Sequence, residues 1–410
     1  LLKDSRWMVR KIASQRLSAK GDAAVPYLVR EFEAAKSIAQ KQNVIWALAR
    51  LGSSGALDYI ASKIATENEQ VVQACLNAVS LHRYKPAMSA LLQVLENGSD
   101  ANKRLAIECL GRIGAVNSVG QILKASIQAK DRAFSHAATY ALYELGDFKN
   151  TKNGLNSDSA RVQSIALHAL ELIDPAGLKA GMVLDAMKTN DRSLTDSCWW
   201  LISRHPEWGG EVQPFLIQEL SKVKDSETGE WVGRLAALAK SPAIADMLGR
   251  LVVDEKASAS ARIIALRAMA QSTTKEVSAS WLAAWKKLLE NSNEAFVNES
   301  LQAIQSLKLN ASNSASLQPL FQGLFGNTAF QPDTRLRAGA LLASGFKIAD
   351  ESQWKLLNDA LDPSQTVSNR LRASEILAKA RLDSKQLLSI CIIIERASPF
   401  EVDRLLDCFS

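Results

Sequence analysis

The sequence is poor in the residues that build disulfide-bonded, metal-binding or β-rich proteins. Its 410 residues include five cysteines without a CxxC spacing, and aromatic residues make up only 6% of the chain. An odd number of cysteines in no paired spacing argues against a disulfide framework, and the motifs for zinc and for covalently attached heme are missing. We therefore expect buried free thiols, no metal ligand, no catalytic residue and no cofactor in this chain.

Long apolar runs and strand patterns are also missing. No stretch approaches the roughly 18 consecutive apolar residues that a membrane-spanning helix needs. The longest candidate, "LLSICIII" from Leu387 to Ile394, is followed by Glu395 and is expected to form a buried helix. Alternating runs of β-branched and aromatic residues, which mark strands, are hard to find. We therefore expect no membrane insertion and no extended sheet.

The sequence is rich in helix-forming apolar residues. Hydrophobic residues make up 47% of the chain and are dominated by alanine and leucine, which favour helices. The formal net charge of +6 is small for a chain of this length, so it permits an anionic partner without requiring one. The chain starts at Leu1 with no recognisable signal peptide, and we expect it to be a segment of a longer protein.

An internal repeat of about thirty residues determines the predicted architecture. Five segments share a small residue, an apolar residue, two variable residues and a further apolar residue, although at Ala78 the last apolar residue falls one position early. They recur at spacings of 31, 31, 32 and 28 residues. Two helices of three to four turns with short connections occupy about this length. The sequence therefore predicts an all-α solenoid of roughly a dozen helical hairpins. The segments are "ALARLG", "AVSLHR", "CLGRIG", "ALYELG" and "ALELID", which begin at Ala47, Ala78, Cys109, Ala141 and Ala169.

Arginines enter the helix that carries this pattern at similar places, and Asp100 and Asp333 precede two of them as expected N-caps. Together with Pro or Gly turns between the helices, these features resemble HEAT repeats, which implies an α-α superhelix of the HEAT/armadillo-like kind. We expect one solenoid over residues 1–410, most regular over 1–190, irregular over 191–240 and recognisable again over 241–410. The arginines are Arg104, Arg161, Arg262, Arg335 and Arg370.

The stretch "DSCWWLISRHPEWGGEV", from Asp196 to Val212, invites a functional reading as a docking, metal or catalytic site. Its two adjacent tryptophans fall on a predicted helix, where they point about 100° apart, so one fills the hairpin seam and the other reaches the surface or the next repeat. A metal or catalytic site would need a second ligand or base, and no HxxH or HExxH spacing exists. Packing is therefore the favoured role, and the candidate docking residues are Trp199, Trp200, His205 and Trp208.

Two interpretations are open for the arginines of the C-terminal repeats. The favoured one is a ladder of Asp–Arg and Arg–carbonyl bonds between neighbouring repeats. The alternative is a basic groove on the concave surface, which would bind an acidic peptide or, less favourably, nucleic acid. The residues that would form such a groove are Arg335, Arg337, Arg370 and Arg372.

Enzymatic activity is the third class of function considered. Some HEAT-like proteins are DNA glycosylases or bilin lyases, so the fold alone does not exclude chemistry. A glycosylase site would need a carboxylate flanked by tryptophan on a basic wall. Asp196 beside Trp199 and Trp200, or Glu207 beside Trp208, come nearest to this arrangement, but the surrounding sequence is not especially basic. No nucleophile–base set or phosphate loop stands out. We therefore expect a non-enzymatic scaffold that binds a protein partner or neighbouring domains.

Four stretches together resemble the HEAT segment of large multidomain, extracytoplasmic proteins of planctomycetes and related bacteria. They are "LLKDSRWMVRKIASQRL" at Leu1, "QNVIWALARLG" at Gln42, "ISRHPEWGG" at Ile202 and "ASPFEVDRLLDCF" at Ala397. The resemblance implies a spacer between a sugar-dehydrogenase-like β-propeller upstream and a heme-binding cytochrome c domain downstream. It also implies an extracytoplasmic, periplasmic location, with the catalytic and heme residues outside these 410 positions.

Overall fold

The structure is a computed structural model that describes residues 1–128, 131–224, 227–274 and 276–409. Over these residues it contains 25 α-helices and two strands of two residues each. The predicted all-α class, a HEAT/armadillo-like solenoid of roughly a dozen hairpins, is confirmed. Within the described residues, no helix is both long enough and apolar enough to cross a membrane.

The chain divides into two compact units, Leu1–Leu201 and Ile202–Ser410, and the boundary falls inside helix α13. This boundary lies in the stretch predicted to be irregular, of which positions 225 and 226 are outside the described residues. The helices up to the boundary are α1 (Trp7–Ser18), α2 (Val25–Glu33), α3 (Ile38–Leu51), α4 (Ser54–Lys63), α5 (Glu69–Leu81), α6 (Met88–Asn97), α7 (Asp100–Ile113), α8 (Val119–Ser126), α9 (Arg132–Leu145), α10 (Phe148–Lys152), α11 (Ala160–Ile173), α12 (Ala180–Ala186) and α13 (Arg192–Arg204).

The second unit continues the same alternation of helices. A short parallel pairing of β1 with β2 is added to it, in which Phe346 lies opposite Ala380. Its elements are α14 (Gly209–Leu220), α15 (Thr228–Leu238), α16 (Pro242–Leu251), α17 (Ala259–Gln271), α18 (Ala279–Leu289), α19 (Glu294–Ser306), α20 (Ala311–Gly326), α21 (Pro332–Ala340), β1 (Phe346–Lys347), α22 (Glu351–Ala360), α23 (Val367–Lys379), β2 (Ala380–Arg381), α24 (Ser384–Ile394) and α25 (Pro399–Leu406).

Each unit is built from two layers of helices. In the first unit the odd-numbered helices from α1 to α11 pack successively on one another, while α2 packs on α4 and α8 packs on α6 and α10. In the second unit the odd-numbered helices from α15 to α25 form one layer and the even-numbered helices from α14 to α22 form the other. Helices adjacent in sequence join the layers, so each hairpin places one helix in each layer.

Residues of the repeat motif form the contacts between neighbouring odd-numbered helices and end those helices. Its small residues are almost completely buried where neighbouring odd-numbered helices meet. Its final glycine adopts a left-handed conformation directly after the helix, which favours a residue without a side chain. The small residues are Ala47, Ala78, Cys109, Ala141 and Ala169, and the glycines are Gly52, Gly114 and Gly146, with φ of 66°, 72° and 68°.

The predicted N-caps before the arginines are wrong in position. Ser99, not Asp100, caps α7 by accepting a hydrogen bond from the Asn102 N–H. Asp333 lies inside α21, and its carboxylate binds arginine side chains instead. A side-chain cap needs an extended residue outside the first turn, which neither aspartate provides.

The prediction of a buried helix over Leu387 to Ile394 is also wrong. In α24 only Ile390 and Ile393 are buried, whereas Leu388 is 68% exposed and Cys391 is exposed. The helix buries a single face, so most of its apolar residues remain in contact with solvent. The prediction of buried free thiols holds for Cys75, Cys109 and Cys198, and burial raises the pKa of each to about 12.

Gly111 marks the closest approach of α7 and α9. A Cβ at Gly111 would lie 2.8 Å from the Cα of Ala141, which belongs to the backbone of the facing helix. We expect Gly111→Ala to lower the free energy of unfolding by about 1 kcal/mol, because overpacking outweighs the gain in helix propensity. The control is Gly233→Ala in α15, where no atom lies within 4 Å, and this change should be stabilising. Urea unfolding monitored by circular dichroism tests the pair, and equal signs would contradict the expectation.

Candidate functional site

The stretch rich in tryptophan and histidine is divided between the two units. Trp199 is buried in α13, whereas the adjacent Trp200 is 48% exposed, in line with their different directions on the helix. His205 and Trp208 belong to the second unit, where both are buried and their rings stack with centroids 3.8 Å apart. The stretch therefore supplies one exposed indole, at Trp200, and one buried ring pair.

The contacts around His205 are those of a packed turn between helices. His205 Nδ1 donates a hydrogen bond to Glu207 Oε1 over 2.5 Å, and this bond is the main reason that the pKa of Glu207 lies below its ordinary value. Throughout the described ranges, no three His, Cys, Asp or Glu side chains come together as a group that could hold a metal ion.

The four arginines singled out in the sequence are engaged within the second unit. Arg335 is buried, and its Nε donates to the Phe325 carbonyl at 3.0 Å while Nη2 donates to Ser352 Oγ at 2.9 Å. The Phe325 carbonyl lies in the last turn of α20, where a cation also meets the negative end of the helix dipole. Arg335 therefore closes the α20–α21 joint.

The other three arginines bind carboxylates. Asp333 accepts from Arg337 Nε at 2.7 Å and from Arg372 Nη1 at 2.6 Å, which links α21 to α23. Arg370 Nε donates to Glu401 at 2.8 Å, which links α23 to α25. All four guanidiniums have hydrogen-bond partners inside the unit, which is the geometry of a ladder between repeats.

A different set of side chains, some exposed and some half-buried, lies on the odd-numbered layer of the first unit. The ninth residue of each odd-numbered helix from α3 to α13 is exposed or half-buried, whereas the residue that follows it is buried. Three of these positions hold large aromatic side chains: Trp46 is 46% exposed, Tyr140 is 51% exposed and Trp200 is 48% exposed. We call this set the surface row; its members are Trp46, Asn77, Glu108, Tyr140, His168 and Trp200.

The surface row leads into a cleft between α9, α11 and α13. The cleft has a volume of about 1090 Å³, and His168 and Trp200 line it with their rings edge to face at 5.2 Å. His136 also lines it and stacks on Tyr140, with ring centroids 6.4 Å apart. We call this feature the α9–α13 cleft. It combines aromatic rings with hydroxyl groups and therefore resembles a recognition site more than a packing defect.

His168 is the titratable ring of the cleft whose environment is most informative. Burial lowers its pKa, and the nearby Glu171 opposes that effect only in part, so the imidazole is neutral near pH 7. Its Nδ1 is buried without a hydrogen-bond partner. A proton on Nδ1 would be an unpaired buried donor, so the proton belongs on Nε2. His168 is thus a neutral group with one N–H donor.

Sequence reasoning missed this cleft, although a signal was present. His168 and Tyr140 each stand directly before the small residue of a repeat motif, as Trp46 does. The motif therefore already identified the position next to the seam on the odd-numbered helices from α3 to α11. The residue types at that position differ from repeat to repeat, so a search for identical residues could not find them.

No family model matches the chain, and no curated protein matches it. Among solved structures it is similar to importin beta crystallised with polyethylene glycol, with a TM-score of 0.52 and 14% identity over 98% of this chain and 65% of that chain. Kap95p, in a structure with RanGDP, has a TM-score of 0.39 and 13% identity over 95% of this chain and 62% of that chain. The CpcE–CpcF phycocyanin lyase of Nostoc sp. PCC7120 has a TM-score of 0.30 and 21% identity over 50% of this chain and 85% of that chain.

These similarities concern the fold. The importin beta match supports the HEAT/armadillo-like solenoid, whereas at 14% identity it says nothing about a shared ligand. The chain spans 65% of the length of that importin beta chain. The scores of 0.39 and 0.30 are too low to support an argument in either direction.

Proposed function

We propose that this chain is a non-catalytic scaffold whose first unit binds a protein partner along the surface row and the α9–α13 cleft. The observation that carries the proposal is the exposure of Trp46, Tyr140 and Trp200 at the same position of three odd-numbered helices, α3, α9 and α13. Exposed aromatic side chains next to a cleft are typical anchors of protein interfaces. A stack of helices presents such anchors at regular intervals, which suits an elongated partner segment.

A catalytic role has less support than binding. The buried thiols of Cys75, Cys109 and Cys198 have pKa values of about 12, so they stay protonated and unreactive near neutral pH. The imidazole of His168 faces aromatic and hydroxyl groups, and the Ser164 and Ser197 hydroxyls of the cleft bind each other at 2.9 Å. A binding function needs no further activation of these groups.

A finer hypothesis follows from the sequence resemblance alone. In it the chain spaces a dehydrogenase-like propeller and a cytochrome c domain of one extracytoplasmic polypeptide. Coding sequence on both sides of this segment, with a CxxCH motif downstream, would support that arrangement. Flanking sequence without either domain would remove it and leave the binding proposal intact, since the latter depends on the surface row.

Site-specific photo-crosslinking in the source cells tests the binding proposal. A photoreactive phenylalanine at Tyr140 should crosslink a discrete protein, because an anchor side chain is in direct contact with the partner. The matched control is the same group at Tyr27, which is 62% exposed on α2 in the same unit but on the other layer. Equal crosslinking from both positions, or none from Tyr140, would contradict the proposal.

Alanine variants then measure the energetic role of the anchors. We expect Trp46→Ala with Trp200→Ala to weaken binding of the crosslinked partner by at least about tenfold, because aromatic anchors dominate interface energies. Tyr27→Ala should leave the affinity unchanged. Isothermal titration calorimetry on the full chain reads both values, and circular dichroism confirms that the variants are folded.

A further inference from the structure

The arginines near the start of the repeat helices differ between the two units in how they are bound. In the second unit, Arg262 Nε donates to the Val252 carbonyl at 2.8 Å, and the residues of the Arg335 to Arg372 ladder are likewise bound. In the first unit, Arg132 and Arg161 stand in the first turns of α9 and α11, and Arg104 stands in the second turn of α7. Within the part of the chain that the structure describes, none of these three forms an ion pair or a hydrogen bond through its guanidinium, and Arg104 Nε is buried without a partner.

These guanidiniums border the proposed binding surface. Arg132 and Arg161 line the α9–α13 cleft, and Arg132 also lines a shallower hollow together with Arg104 and His136. Arg132 therefore connects the two depressions. Arg104, Arg132 and Arg161 contribute one cation from each of α7, α9 and α11, so they form a row along the direction in which these helices are stacked.

The carboxylates near these arginines do not form ion pairs with them among the described residues. Asp191 lines the cleft, but its Oδ1 accepts a hydrogen bond from the Leu194 N–H at 2.9 Å and caps α13. Glu171 is buried, and Glu108 shares the hollow with Arg104 without an ion pair among the described residues. The guanidiniums of Arg104, Arg132 and Arg161 therefore have no carboxylate partner among the described residues.

Other groups of the cleft add donors and an apolar wall. The hydroxyls of Ser135, Thr139 and Ser159 line it, and the neutral His168 contributes its Nε2–H. Trp200 and Leu172, each 48% exposed, form an apolar wall. A ligand that fits must present hydrogen-bond acceptors with negative charge, and an apolar side chain beside them.

From this arrangement we infer that the α9–α13 cleft selects an acidic, extended segment of the protein partner. Carboxylates of the segment pair with Arg132 and Arg161, and an adjacent apolar side chain packs on Trp200. Packed helices lie about 8–10 Å apart and an extended chain rises about 3.3 Å per residue, so the acids recur about every third residue. The inference rests on the proposed function and adds the chemistry of the partner to it.

Fluorescence anisotropy with defined peptides tests the selection. The probes are a fluorescein-labelled extended peptide of about nine residues with glutamate at every third position and leucine beside it, and its glutamine counterpart. A single-stranded oligonucleotide of similar length is the third probe. We expect the full chain to bind the glutamate peptide about tenfold more tightly than the glutamine peptide, because close charge pairs add to affinity.

A charge-matched pair of variants locates the effect. Arg132→Gln with Arg161→Gln should abolish the preference for glutamate. Arg16→Gln with Lys20→Gln, which removes the same charge from exposed positions of the first unit outside the cleft, should keep it. Circular dichroism should show the same helicity for both variants, since the exposed arginines Arg132 and Arg161 have no described intramolecular bonds.

The remaining outcomes overturn the inference in distinguishable ways. Equal affinity for the two peptides, or an unchanged preference in the Arg132→Gln and Arg161→Gln variant, would show that acids are not selected. Tighter binding of the oligonucleotide with a steep salt dependence would assign the arginines to phosphates instead. If the partner crosslinked through Tyr140 binds that variant normally, the docking surface stands and only the acidic selection fails. If the preference is found but Tyr140 crosslinks no protein, the proposed function fails instead.

Discussion

Replacing Arg370 with methionine is expected to lower the free energy of unfolding of the second unit by about 3 kcal/mol at pH 7, because breaking a buried ion pair strands a charge. The partner of Arg370 is Glu401, which is 2% exposed and lies 2.8 Å from Arg370 Nε. The guanidinium also donates to the carbonyls of Pro363 and Gln365. Its removal therefore leaves a buried carboxylate and two carbonyls without their donor.

The pH dependence of this loss identifies the stranded carboxylate. In the native protein, burial alone would raise the pKa of Glu401. The bonds from Arg370 and Ser398 act in the opposite direction and outweigh burial, so the pKa lies below its ordinary value of 4.5. The native carboxylate therefore contributes stability above pH 4.5 that is lost as the pH falls through the lowered value. In the variant the two lowering effects of Arg370 are lost while the effect of burial remains, so we expect the pKa of Glu401 to rise and its protonation to relieve part of the loss. The difference from the native protein should thus be largest at neutral pH and shrink towards pH 4.

Hydrogen exchange measured by mass spectrometry gives the stability of the second unit separately from that of the first. The control is the double variant Arg370→Met with Glu401→Gln, which removes the stranded charge while the amide keeps its place at the start of α25. This variant should recover a large part of the loss at pH 7. A loss that is the same at every pH and unchanged in the double variant would assign the effect to the carbonyls of Pro363 and Gln365.

The same ion pairs show why the sequence predicted the fold better than the site. The repeat motif marks buried positions, because each odd-numbered helix packs against the next one. Ala47 and Cys109 can therefore be recognised as seam residues from the periodicity alone. Whether Arg335 reaches the Phe325 carbonyl or solvent depends on the packing of α20 and α21. No spacing in the sequence contains that information, so four bound arginines were candidates for a groove.

The exposed positions pose the opposite difficulty. Tyr140 and His168 are adjacent to seam residues, so their outward direction follows from the motif. Their chemistry does not repeat, because these positions lie outside the seam, where close packing of neighbouring helices selects small residues. The pairing of His168 with Trp200, and the cleft that both line, become apparent only when α11 and α13 are placed side by side.

The apolar helix α24 illustrates a further limit of composition. Its residues are those of a core, and the sequence predicted burial, yet only Ile390 and Ile393 are covered. The hydrophobicity of a helix indicates how much apolar surface it could bury. How many of its faces are covered depends on the neighbouring helices. In a stacked fold that number changes from one helix to the next, so burial has to be read from contacts.

Replacing Trp281 with alanine is expected to destabilise the second unit by about 4 kcal/mol, since large-to-small changes in a core remove apolar contacts and leave a cavity. Trp281 is 1% exposed in α18, and its ring meets that of Trp285 edge to face with centroids 6.0 Å apart. Its Nε1 donates to the Ala245 carbonyl at 2.6 Å, which ties α18 to α16. The variant therefore loses a ring, a ring pair and a bond between two helices.

Phenylalanine variants separate the hydrogen bond from the ring volume. Trp285 is fully buried as well, but its Nε1 has no hydrogen-bond partner. Trp281→Phe leaves the Ala245 carbonyl without its indole donor, whereas Trp285→Phe removes a donor that was unpaired, so the first change should cost about 1–2 kcal/mol more than the second. Hydrogen exchange of α16 and α18 measures both variants. Equal losses would show that ring volume alone matters, and that the bond to Ala245 contributes nothing to the packing of these helices.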